Sequence, residues 1–366
     1  ASMDELGMGG TNKNAYTGAV HNPYDLDRIP GGSSGGCAAL VAAGCVPLAI
    51  GTDTGDSIRK PAAYCGVVGV KPTYGRISRY GIIPYASSLD HVGYFTTNVK
   101  DAALALEVLA GRDDHDMTSS YEAVKEYSKL LNGDLTNKTI GVFKTVMDEV
   151  KNEELKAQFN TLVSKLEEKG AKIVEVEMPK EYMELIAPVY KTIANAEATA
   201  NHSNLDGIRF GMREEGQNLE EVMTNTRTKG FSSYVRARFV IGSYSLFEEN
   251  QDRLFRKAQK IRRLIVQAYA KMFEECDAVL SVAAPTIAPL INESTNVRFG
   301  VSSFAEEHMQ LQNFSGYPSI TLPLGKVDSM PVAVNLTCKP FEEQKMFDVS
   351  SAIEECTGLK GQCLEG

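Results

Sequence analysis

No stretch of the sequence approaches the ~18 uninterrupted apolar residues that a membrane-spanning helix needs. Ala1–Asn14 lack the basic-then-apolar layout of a secretion signal. A cytoplasmic protein is therefore expected, with an organellar matrix as the alternative. Clustered metal or disulfide ligands are also lacking. The seven cysteines (Cys37, Cys45, Cys65, Cys276, Cys338, Cys356 and Cys363) are odd in number and scattered, and none forms a CxxC pair. The five histidines stand apart from them, so neither zinc ligation nor a disulfide framework is expected, and a reducing compartment fits best. Positive charge is in short supply as well. Lys and Arg number 38 against 47 Asp and Glu, a net charge of −9, which makes the chain a poor stand-alone ligand for phosphate backbones.

What is present is globular: 43% hydrophobic and 23% charged residues exclude a disordered or fibrous chain. The 366 residues suit one large α/β unit or two ordinary ones, and with no repeat and no clean linker the reading is a single domain over 1–366. Pro30-Gly-Gly-Ser-Ser-Gly-Gly36 is a loop. It leads into Cys37–Gly44, whose small residues predict a tightly packed helix ending at a glycine cap. Val46–Ile50 predicts a buried strand, followed by a second irregular loop over Gly51–Arg59. Asp101–Ala110 reads as a helix closed by Gly111. Further on, Thr139–Phe143 reads as a strand. Glu153–Lys169 carries Leu155, Phe159, Leu162, Val163 and Leu166 at helical spacing, and Ala171–Val176 returns as a strand. A long helix is expected over Leu254–Glu275, then strands at Ala278–Val282, Ser319–Leu322 and Val332–Leu336. This alternation argues for an α/β layered fold.

Two serines, Ser33 and Ser57, stand in the glycine-rich loops that flank the predicted helix and strand. Both loops could return to one strand end. A serine hydroxyl attacks an amide only with a proton acceptor beside it and donors for the oxyanion. A histidine base does not suggest itself, since His21, His91, His115, His202 and His308 are isolated and no Gly-x-Ser-x-Gly elbow surrounds Ser57. The loops also lack the Gly-Lys-Ser/Thr ending of a phosphate loop and the G-x-G-x-x-G fingerprint. That leaves a serine with a non-histidine base, beside the plain alternative of two Gly-Ser turns.

The order of three segments carries more. Pro30–Gly36, Gly51-Thr-Asp-Thr-Gly-Asp-Ser-Ile-Arg-Lys-Pro-Ala62 and Cys65-Gly-Val-Val-Gly-Val-Lys-Pro-Thr-Tyr-Gly-Arg76 together resemble the amidase signature family. Met3-Asp4-Glu5, Met8-Gly9, Arg79-Tyr-Gly81, Ala86-Ser-Ser-Leu-Asp90, Asp206-Gly-Ile-Arg209 and Ala283-Ala-Pro-Thr286 resemble its branch that hydrolyses glutamine for tRNA-dependent amidation. The resemblance implies an α/β fold with a mixed central sheet flanked by helices on both faces. It implies Ser57 as the acylated nucleophile, and Ser33, after a cis peptide, as the residue relaying a proton to a lysine. The N–H groups of Thr54, Gly55 and Asp56 would form the oxyanion hole. Glutamine would be read by Tyr190, Arg238 and Glu306; Arg236 competes with Arg238, and Glu307 and His308 leave the register of Glu306 open. A guanidinium suits the substrate carboxylate because it donates two parallel hydrogen bonds. The implied partners are glutamine and the B and C subunits of an amidotransferase, with tRNA met mainly through the partner. No cofactor is implied for this chain, ATP and Mg being used by the partner.

Some positions depart from the pattern. The family's lysine is expected upstream of Met3-Asp4-Glu5, outside this sequence, and Lys13, Lys60 and Lys71 do not match it. Asp56 stands where glycine is usual. If that backbone requires φ > 0, strain of about 1–3 kcal/mol follows. Glu306 stands in place of the usual aspartate, and Cys37 in place of a serine. Arg59 reads as a structural partner of Asp53 or of backbone carbonyls. The basic run from Arg253 to Arg263 reads as a solvated helix face. Two competing functions remain: a free-standing amide hydrolase and a catalytically impaired scaffold.

Overall fold

The structure, a computed structural model, describes residues 1–294 and 303–364. Eight strands, β1 (Leu48–Asp53), β2 (Val68–Lys71), β3 (His91–Thr96), β4 (Thr139–Phe143), β5 (Lys172–Val176), β6 (Ala278–Val282), β7 (Ser319–Val327) and β8 (Met330–Cys338), form one sheet in the order β1-β3-β2-β7-β8-β6-β4-β5. It is mixed: β4 runs parallel to β5 and β6, while the pairs from β1 through β8 to β6 are antiparallel. Period-two alternation along β3 shows that both faces are covered. Val92 and Tyr94 point into the main core with helix Val99–Leu109. Phe95 points the other way, among residues of helices Gly35–Ala42 and Arg59–Cys65. Gly93 lies between them because a Cβ there would stand 2.2 Å from the Val70 carbonyl oxygen.

Most expected elements are in place. β4 and β6 occupy the expected residues, and helix Glu153–Glu168 buries Leu155, Phe159, Leu162 and Leu166. Asn152 caps that helix by accepting from the Leu155 N–H. Gly44, at φ 68, follows helix Gly35–Ala42 as expected. One expectation needs correcting. The strand near Val46–Ile50 begins at Leu48 and is not buried. It is the sheet's edge, paired on one side only with β3, and Ile50 is 48% exposed. The basic run is solvated as expected at Arg253, Arg256, Lys257, Lys260 and Arg263, and of its six residues Arg262 alone departs. Arg262 turns inward and donates to the Phe314 carbonyl and to Ser88. Among the described residues no helix is long and apolar enough to cross a membrane, and no His, Cys, Asp or Glu cluster could hold a metal ion.

Candidate active site

The two serine loops meet at the C-terminal end of β1. The Ser34 hydroxyl donates to the Thr52 carbonyl and accepts the Thr52 N–H, both at 3.1 Å. The Ser34 N–H reaches the Ser57 carbonyl at 3.2 Å. The Gly32–Ser33 peptide is cis, as the resemblance implied. Ser33 is buried, and its hydroxyl has no hydrogen-bond partner among the described residues. The N-terminal segment lies across this loop, with the Asp4 N–H on the Ser33 carbonyl and the buried Asp4 carboxylate accepting from the N–H groups of Asn12 and Asn14. Burial pushes that carboxyl above its ordinary range, against the pull of these hydrogen bonds.

A cleft of about 240 Å³ opens over the turn between β1 and helix Arg59–Cys65, and Gly55, Asp56, Ser57, Tyr190 and Arg238 all line it. The main-chain N–H groups of Gly55, Asp56 and Ser57 donate to no acceptor among the described residues. They are thus free for an oxyanion. Tyr190, from helix Ile186–Asn201, lies directly on the turn. A Cβ at Gly55 would stand 3.0 Å from its hydroxyl oxygen, so a larger residue would crowd the ring above it. Ser232 caps helix Ser233–Leu246 by accepting from the Val235 N–H, and this helix carries Tyr234 and Arg238 on one face at i, i+4. The Arg238 guanidinium donates to the hydroxyls of Tyr85 and Tyr234, and its Nε is buried with no partner among the described residues. A fixed cation lining a cleft suits a carboxylate.

Asp56 behaves differently from the expectation. Its φ is not positive, so no backbone strain attaches to the missing glycine. Its carboxylate is drawn to the ammonium of Lys60, one helical turn on, at 2.6 Å, which neutralises it beside the oxyanion site. Burial opposes the charge of Lys60, yet Asp56 together with Tyr64 and Glu307 outweighs this and holds the ammonium above its usual range. Lys60 also donates to the Glu306 carbonyl. It is therefore a structural cation and a poor base. Lys13 is bound to the Ile291 and Ser294 carbonyls and Lys71 to the Tyr317 carbonyl, so no ammonium of these three reaches Ser33.

Glu306 does not line the cleft; its neighbour Glu307 does. Both lie in the short helix Phe304–Glu307, where consecutive side chains diverge by about 100°, so one of the two faces the site. Thr54 stands behind the turn, its hydroxyl on Asp90 at 2.7 Å. Arg59, fully buried, is the structural residue expected. It donates to both oxygens of Asp53, to the Gly55 and Met309 carbonyls and to the side chains of Gln312 and Asn313. The arginine beside it holds the Asp53 carboxyl well below the usual range in spite of burial. None of the five histidines lines the cleft. Sequence reading missed Tyr85, Tyr234 and Asn313. For Tyr234 a signal existed, its i, i+4 spacing from Arg238.

A profile of the amidase family matches residues 1–347. The chain is 41% identical over 359 residues to the A subunit of glutamyl-tRNA(Gln) amidotransferase from Fusobacterium nucleatum subsp. nucleatum, covering 98% of this chain and 73% of that protein. It is 40% identical to the corresponding A subunit from Bdellovibrio bacteriovorus, covering 99% and 74%. The crystal structure of the Thermotoga maritima glutamyl-tRNA(Gln) amidotransferase A subunit superposes with a TM-score of 0.80 at 33% identity, covering 97% of this chain and 72% of that one. A Stenotrophomonas maltophilia peptide amidase gives 0.80 at 27% identity, covering 98% and 73%.

Proposed function

The chain belongs to the amidase family, and we propose that it is a glutamine amidohydrolase supplying ammonia within a tRNA-dependent amidotransferase. The observation that carries this reading is the convergence on one cleft of Ser57, the unengaged N–H groups of its turn, Tyr190 and the fixed cation of Arg238.

In this reading Ser57 Oγ attacks the γ-amide carbon of glutamine. Its proton passes through Ser33 to a lysine other than Lys13, Lys60 and Lys71, which are engaged elsewhere. The oxyanion is met by the N–H groups of the Thr54–Ser57 turn. Collapse expels ammonia, which carries away the proton returned through Ser33, and leaves a γ-glutamyl ester on Ser57. Water then hydrolyses that ester to glutamate. Arg238 takes the substrate carboxylate and Tyr190 closes over the turn. The cleft-facing Glu307, in preference to Glu306, takes the substrate ammonium. The ammonia goes to the B and C subunits, where ATP and Mg serve the amidation of misacylated tRNA; no cofactor is assigned to this chain.

The test separates a glutaminase from a general amide hydrolase. Arg238→Ala in the full-length protein is expected to raise the glutamine KM by about 10²-fold, roughly 2.7 kcal/mol of lost recognition. The KM for 4-aminobutyramide, which is glutamine without its α-carboxylate, should stay within about threefold of wild type. Equal loss on both substrates, or on neither, removes Arg238 as the carboxylate anchor and favours the free-standing hydrolase.

A further inference from the structure

Thr54 and Asp90 each stand one residue beyond the Asp53–His91 pair that ends the antiparallel register of β1 and β3. There the Thr54 hydroxyl donates to Asp90 Oδ1 at 2.7 Å. The same carboxylate accepts the main-chain N–H groups of Tyr85 at 2.9 Å and of Ala86 at 3.0 Å, which fix its plane. Asp90 is 6% exposed and lines a second cavity of about 250 Å³, together with Thr52, Arg79 and His91. The mechanism above gives it no part.

We propose that Asp90 is a positioning residue: through the Thr54 hydroxyl it holds the oxyanion turn in register, so that the N–H groups of Gly55 and Asp56 are aligned before charge develops. The inference rests on the reading of Ser57 as nucleophile. Its physical basis is that oxyanion donors act through pre-alignment, and a turn left to swing loses that advantage in kcat while substrate binding through Arg238 persists. The groups facing the carboxylate are Thr54 on the turn, Tyr74, Arg79 and Tyr85 from the preceding loop, and His91 on β3, with His115 and Asp116 across the cavity. Burial drives the imidazole of His91 well below its ordinary range, so it stays neutral. Burial likewise pushes the Asp90 carboxyl up to about 6, against the hydrogen bond of Thr54 and the charge of Arg79. Above that pH the carboxylate accepts from all three donors. Below it a proton occupies one acceptor site.

Steady-state glutamine hydrolysis by the full-length protein tests this. Loss of activity in Ser57→Ala first verifies the underlying reading on its own; if the wild type hydrolyses no glutamine, that reading fails before Asp90 is at issue. Thr54→Val is expected to lower kcat by about 10- to 100-fold with KM within about threefold, and Thr54→Ser to keep kcat at least tenfold above Thr54→Val. The wild-type log kcat profile should steepen by one unit of slope below about pH 6. That steepening should be absent in Asp90→Asn and kept in His115→Gln. If Asp90→Asn does not fold, the two Thr54 variants decide alone. Equal kcat in Thr54→Val and Thr54→Ser, or a change confined to KM, overturns the proposal, as does an Asp90→Asn profile that steepens like the wild type.

Discussion

Ser57→Ala is expected to lower kcat for glutamine hydrolysis by a factor on the order of 10⁴–10⁶, about 5–8 kcal/mol of barrier. The magnitude follows from the site. With the hydroxyl gone, the unengaged N–H groups of the turn and the Arg238 anchor still bind and polarise glutamine, but no acyl-enzyme can form. Residual turnover then reflects water attacking a bound amide, and a ¹⁴C-glutamine pulse should label the wild type and leave the variant unlabelled. The fold should be untouched, because the Ser57 side chain is given no role in holding the turn, whose contacts run through the Ser57 carbonyl and the Gly55 carbonyl. Ammonia release by Ser57→Ala at the wild-type rate would place the nucleophile elsewhere. Inactivity of wild type and variant alike, in the full-length protein assembled with its partners, would instead favour the scaffold reading.

Arg59→Met is expected to destabilise the protein by about 3–5 kcal/mol, read as a fall in the urea midpoint at unchanged m-value. The cause is the charge left behind. Asp53 is fully buried, and with the guanidinium gone it keeps, among the described residues, only the Asn313 amide and the Ile58 N–H. The double variant Asp53→Leu, Arg59→Met should recover part of the loss and no more, because Arg59 also serves the Gly55 and Met309 carbonyls. The pH dependence has a definite sign. The Asp53 carboxyl is held below its ordinary value in the folded state, so its contribution is present above the unfolded value of about 3.9 and drains away as pH falls below it. Wild-type stability should therefore drop below about pH 4 more steeply than that of Arg59→Met. Identical acid limbs would show that the pair does not act as a unit.

How far the sequence reveals this protein varies with the range of the forces involved. Glu153–Glu168 is legible because an amphipathic helix writes its buried face at fixed spacing, and β4 and β6 because short apolar runs between turns have few alternatives. β2 and β3 are not. Each is interrupted by glycine, Gly69 and Gly93, which weakens a strand in isolation and is explained here by crowding against Ala62 and the Val70 carbonyl. Helix Ser233–Leu246 escapes a periodicity search because its apolar residues form no single stripe: Val235 and Phe239 are buried while Val240 and Ile241 are exposed. At the site, the structural role of Arg59 is legible, and so, through motif order, is the meeting of the two serine loops. The quieting of Asp56 is not, although Lys60 stands one helical turn away, since spacing alone does not say whether two charges turn toward each other. The choice between Glu306 and Glu307 needs the orientation of a single turn of helix.

One property of the Arg59 clamp bears on how the protein is made. Arg59, which locks the Ser57 turn, bonds to Asn313, 254 positions later in the chain, and β2 pairs with β7 across a similar interval. Ribosomes adding roughly 5–20 residues per second take between about a dozen seconds and nearly a minute to cover that distance. Throughout that interval the Ser57 loop lacks its contact with Asn313, and the edge of β2 that will receive β7 is bare. Enzymatic competence is thus deferred until late in translation, and the nascent amino-terminal half is the stage at which a chaperone has most to protect.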